Sequence, residues 1–178
     1  MSDLLGGGLN PRHQLGERDM VLAYLERQRE LVFWKCSGLT DEAARAVSAP
    51  SGLTIHGIVR HLENVERSWW RRHYAGQPDL PFDWTDEDPD GDLHVPPEVR
   101  LADLLAAYRT EIALCDEVIA GHGLDDPGAL RDHTLRWILL HLVEEISRHL
   151  GHLDLLCELA DGRLGEEPEG APPPGVDE

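Results

Sequence analysis

The chain has 178 residues, 41% of them hydrophobic, which suits one domain with a sizeable core. Its 34 acidic and 16 basic side chains leave a net charge of -18, which repels phosphate backbones and anionic lipid surfaces, so neither nucleic acid nor membrane is an expected partner. No apolar run approaches the ~18–20 residues of a bilayer span, and the N-terminus has no signal-peptide pattern, so a cytoplasmic location is expected.

Residues 1–16 are rich in Gly and polar side chains and read as a flexible arm. The Gly6-Gly7-Gly8 run is no phosphate loop, because no strand precedes it and no lysine follows. A first helix is expected over about 17–37, with Met20, Tyr24, Leu31 and Trp34 at helical spacing and Gly38 as its stop. Residues 39–43 begin a short turn or half-helix. A second helix starts at Thr54, a good N-cap, and runs to about 74 or 75. Its apolar stripe is Ile55, Ile58, Leu62, Val65 and Trp69. On the same wheel His61 lies beside the stripe, Trp70 faces away, and His56 and His73 are expected in solvent.

Residues 77–97 hold five of the 12 prolines and many aspartates, a longer connection than bundle loops usually are. Asp86 to Gly91 imitates the start of a calcium loop, but Pro97 stands where the twelfth-position Glu belongs. A solvated acidic loop is the better reading. The third helix spans about 97–120, with Leu101, Leu104, Leu105, Tyr108, Ile112 and Val118 inward. The fourth spans about 135–160, with Leu135, Ile138, Leu142, Ile146, Leu153 and Leu156 inward. Residues 163–178 read as a disordered acidic, Pro-rich tail. Four amphipathic segments without a convincing strand predict an all-α four-helix bundle over 17–162, with a long connection between helices 2 and 3.

Cys36, Cys115 and Cys157 form no CxxC pair and read as reduced thiols. Lys35 is the only lysine beside many arginines, a bias typical of a high-GC bacterium such as an actinobacterium.

The chemistry concentrates on the fourth helix. His141, Glu145 and His149 are spaced by four and His152 follows by three, so they fall within an arc of roughly 80°. Glu145 and His149 border the core stripe, and His141 and His152 sit nearer the rim. A carboxylate and an imidazole turned inward are costly to bury unless something satisfies them, and a divalent metal would. A third ligand would have to come from another helix, and His61 is placed to supply it. The alternative at this point is an ordinary Glu/His surface pair one helical turn apart.

Ile58-Val59-Arg60-His61-Leu62 with Trp69, together with the stretch from Leu135 to Leu156, resembles the DinB-like superfamily of bacterial four-helix bundles. The likeness is closest to a short actinobacterial branch. Glu in the first of the two last-helix positions is similar to the metal-binding domain of mycothiol-dependent maleylpyruvate isomerase. The isomerase activity itself is not implied, because that enzyme carries a further C-terminal domain that the Pro-rich tail cannot replace.

The resemblance implies a divalent metal, Zn2+ ahead of Ni2+, Fe2+ or Mn2+, held by His61, Glu145 and His149. It implies a small-molecule thiol, mycothiol, as cosubstrate with an electrophilic substrate, and a homodimer. The expected activity is a metal-dependent S-transferase, with His152 or His141 managing the proton. Arg148 is the candidate for pairing with a substrate anion, and Trp70 and Trp84 for covering the site or forming a dimer surface. Metal-dependent hydrolysis, with Glu144 or His152 as base, and a non-catalytic metal-binding stress protein are the alternatives.

Overall fold

The computed structural model describes residues 4–5, 9–130 and 133–165. Its elements are α1 (Glu17–Cys36), α2 (Asp41–Arg45), α3 (Ile55–Glu66) running on as a π-helical segment (Arg67–Tyr74), a 3-10 turn (Gly91–Leu93), α4 (Leu101–Ile119) and α5 (Leu135–Asp161). The described residues form an all-helical bundle of α1, α3, α4 and α5, as expected. α1 packs chiefly on α5, and α3 on α4. None of these helices is long and apolar enough to cross a membrane. The glycine run and the tail from 166 onward lie outside the described residues, whereas Leu4 and Leu9 of the expected arm pack against the core.

Local chemistry sets the helix ends. The Thr54 hydroxyl accepts the Gly57 N–H at 3.0 Å and Thr134 accepts that of Trp137 at 3.3 Å, each relieving an orphan donor of a first turn. Gly162, at φ +79°, closes α5 in the left-handed conformation. α4 starts at Leu101, later than its sequence pattern suggests. Its first N–H is held by the Asp41 carboxylate at 2.7 Å, a cap supplied by a residue 60 positions away. The same carboxylate oxygen lies 3.0 Å from His56 Nε2, which corrects the solvent placement of His56: the side chain is buried. Burial lowers its pKa against the opposing pull of Asp41.

The expected stripe of α1 and the last position of that of α3, Trp69, differ from the observed core, whereas Ile55, Ile58, Leu62 and Val65 are buried as expected. On α1, Leu31 alone of its expected stripe is buried, Tyr24 is exposed, and the core face is Leu22, Leu25, Leu31, Val32 and Cys36 together with Arg29 and Lys35. Apolar residues surround this helix, and two cations on the buried face hide the true stripe from any hydrophobicity count. On α3 the π segment changes the phase, as the Ala75 N–H to Trp70 C=O bond at 2.9 Å shows. Each residue of a wider turn advances less than the ~100° of an α turn. Trp70 therefore rotates into line with Leu62 and is fully buried, and Trp69 swings toward α5. Trp70 is core, not a lid or an interface.

A buried polar group ties three helices together. Arg29 of α1 donates to Glu66 Oε1 at 2.9 Å, and Tyr108 of α4 donates to the same oxygen at 2.8 Å. Arg29 and Glu66 pair through their other atoms too, and Arg29 reaches Asp116 at 2.9 Å. All three central side chains have at most 1% of their surface exposed. At the edge of this group Glu111 accepts from Arg67 at 2.9 Å and Arg71 at 3.0 Å, fastening the π segment to α4.

Candidate metal centre

α3 and α5 run side by side, and the seam between them brings His61 to Glu145 and His149. His61 Nε2 lies 3.3 Å from Glu145 Oε1, and His149 Nε2 lies 3.2 Å from the same oxygen. The two imidazole centroids are 4.8 Å apart. The side chains keep 21%, 23% and 13% of their surface, so the cluster borders the core yet stays reachable from solvent.

Two imidazole nitrogens aimed at one carboxylate oxygen make a donor set suited to a borderline divalent cation. One donor atom from each residue falls within 4.8 Å of the others, so these three side chains can hold a metal ion. Among the described residues no other His, Cys, Asp or Glu cluster does so. The Nδ1 of His149 is buried without a hydrogen-bond partner, whereas Nδ1 of His61 meets Asp92 Oδ2 at 2.8 Å.

The charges in the seam are mutually stabilising. Hydrogen bonds to His149 and His61 hold the Glu145 carboxyl far below the usual carboxylate range, against the effect of burial. Burial works against protonation of His61, but its hydrogen bonds to Asp92 and Glu145 outweigh it and raise its pKa to about 9.

The other expected site residues distribute around this cluster. His152 is exposed at the rim, its ring 5.4 Å from that of His149 and edge-on to it. His141, one turn before Glu145, belongs to an aromatic group instead. It stacks on Trp137 with centroids 5.1 Å apart and meets the edge of Trp69 at 4.7 Å, and His133 and His73 complete the group. His73, expected in solvent, is accordingly half-buried against Trp69. Arg148 lies on the solvent side of α5, 3.6 Å from Glu144. Trp84 stacks on Phe82 at 4.7 Å, over a shallow cavity that Arg72 also lines.

Sequence reasoning missed Asp92 and the Trp69–Trp137 pair. Asp92 is one of several aspartates in a stretch that reads as solvated, and no spacing rule singles it out. Trp137 lies one turn before His141 on the helix that carries Glu145 and His149, a usable signal.

The chain matches a family model described as mycothiol-S-transferase over residues 20–162, a span that takes in most of α1, all of α5 and every residue of the cluster. No curated protein matches it significantly. With most of its length covered by that model, the chain belongs to the mycothiol-S-transferase family.

Proposed function

We propose that the protein is a metal-dependent S-transferase that joins mycothiol to an electrophilic carbon, with His61, Glu145 and His149 holding a divalent cation, zinc first. The observation that carries this reading is the convergence of His61 Nε2 and His149 Nε2 on one oxygen of Glu145 at the mouth of a solvent-reachable seam. A divalent cation held by these three side chains would lower the pKa of a thiol and so supply thiolate at neutral pH. Nickel, iron and manganese suit the same donors.

The chain's own groups supply the rest. His152 stands exposed beside His149 and can accept the proton that the thiol gives up. The sulfur–carbon bond forms as the carbon–halogen or epoxide carbon–oxygen bond breaks with its electron pair; halide departs, or the epoxide oxygen stays on the product and takes up the proton that the thiol gave. None of Cys36, Cys115 and Cys157 serves as the nucleophile: all three are buried, and burial raises each thiol pKa. The reading places the protein in the cytoplasm of a mycothiol-making actinobacterium. Metal-loaded protein with mycothiol and a panel of alkyl halides and epoxides is expected to give S-conjugates by mass spectrometry. Turnover that needs no thiol would mark a hydrolase instead, and no turnover of either kind would leave a binding protein.

The partner that suits the outer face of α5 is a second copy of the chain. Trp137, Leu140, Leu155 and Leu159 are exposed there, at both ends of one helix. Antiparallel pairing about a two-fold axis near Arg148 sets Trp137 against Leu159 and Leu140 against Leu155. Sedimentation is expected to show a dimer that Leu155→Asp converts to monomer. A monomeric parent protein would remove this interface.

A further inference from the structure

The long connection between the π segment and α4 is built onto α3 at several points. Asn64, fully buried, donates to the Asp83 carboxylate at 2.8 Å and accepts the Asp83 N–H at 3.1 Å. Arg60 grips the 3-10 turn by its backbone: Nε donates to the Asp92 carbonyl at 2.8 Å and Nη2 to that of Gly91 at 2.9 Å. The turn lies so close to α3 that a Cβ on Gly57 would come within 2.5 Å of the Leu93 carbonyl oxygen, so only glycine leaves room. A Cβ on Gly91 would likewise come within 2.5 Å of the Asp83 carbonyl oxygen. These contacts deliver one side chain inward: Asp92, 2% exposed, with Oδ2 at 2.8 Å from His61 Nδ1.

We propose that Asp92 is a positioning residue of the metal centre, and that the turn carrying it, held by Gly57 and Arg60, is a fixed outer layer of the site. An imidazole has two tautomers and rotates about its χ angles. A carboxylate accepting the Nδ1–H leaves the Nε2 lone pair free and aims it toward Glu145 and His149. The negative charge also strengthens that nitrogen as a donor. His149 has no such support, since its Nδ1 finds no partner. His61 is therefore the pre-set ligand of the pair, and the loop is the reason.

This rests on the metal reading of the three side chains, and the experiment separates the two. Zinc affinity is measured by competition with a chromophoric chelator, alongside the visible spectrum of the cobalt-substituted protein and urea unfolding of each variant. Asp92→Ala is expected to weaken zinc binding about 10–100-fold. Asp92→Asn, which keeps an acceptor without the charge, should fall between Asp92→Ala and the parent and shift the cobalt bands. Gly57→Ala leaves Asp92 intact and moves the turn, and is expected to weaken zinc in the same direction. It also covers the case in which Asp92→Ala does not fold. Zinc affinity within twofold of the parent in folded Asp92→Asn and Gly57→Ala proteins would overturn the proposal. A parent protein that binds neither zinc nor cobalt would overturn the metal reading itself, and this inference with it.

Discussion

Glu145→Ala protein is expected to come off purification with little or no bound metal, its zinc affinity reduced by more than the ~10–100-fold typical of changes outside the ligand set. Glu145 supplies the oxygen on which both imidazoles converge, at 3.3 and 3.2 Å, so on the proposed reading its loss removes a ligand and the charge that holds the other two. S-conjugate formation should fall with it, and the fold should persist, because the side chain is partly exposed and outside the core.

The pH dependence has a definite sign. His61 is raised to about 9, so below that pH an incoming cation must displace its proton. Zinc affinity of the parent protein should therefore climb with pH up to about 9, by about tenfold per pH unit for one displaced proton. Glu145 stays anionic throughout that range. In Glu145→Ala the carboxylate that helps raise His61 is gone, and what binding remains should depend less on pH between 7 and 9. Metal analysis and calorimetry in buffers of different ionisation enthalpy measure both effects. Undiminished zinc in the variant would remove Glu145 from the site.

The second large effect lies away from the chemistry. Glu66→Leu is expected to destabilise the fold by about 3–5 kcal/mol, because it leaves the Arg29 guanidinium and the Tyr108 hydroxyl buried with their shared acceptor gone. Asp116 would still accept one Arg29 hydrogen bond, which places the cost nearer the lower figure. The triple replacement Arg29→Met, Glu66→Leu, Tyr108→Phe removes the three central polar side chains at once and should recover most of the loss. Urea unfolding of the two variants beside the parent measures this. A cost below about 1 kcal/mol for Glu66→Leu would mean that water reaches the guanidinium, contrary to its burial.

The bundle was legible because its signals are local. Thr54 and Thr134 stand where N-caps must, Gly162 where a helix must stop, and the stripes of α3, α4 and α5 carry most of the core at helical spacing. The cluster that could hold a metal was legible for a related reason: Glu145 and His149 fall one turn apart beside a core stripe, and His61 falls beside another. α1 was not legible, since Arg29 and Lys35 occupy core positions and a hydrophobic count sends them to solvent. Partners on other helices make such burial tolerable: Glu66 for Arg29 and Asp154 for Lys35.

The tryptophans show the limit from another side. Trp69 and Trp70 differ by one position, and a regular α wheel assigns the core to the first. The π segment assigns it to the second. Nothing in Arg67-Ser68-Trp69-Trp70 announces that widening, which accompanies the docking of Arg67 and Arg71 on Glu111.

What the sequence determined by itself is therefore whatever depends on neighbours along a helix: the four long helices, their caps, and the type and spacing of the His and Glu side chains that form the cluster. What the tertiary structure alone decided is which polar groups could be buried, where the π segment turned the indoles, and which of the loop's many aspartates reached His61. Those outcomes depend on partners distant in sequence, 31 positions apart for Asp92 and His61 and 42 for Tyr108 and Glu66, and a one-dimensional pattern carries no record of such pairings.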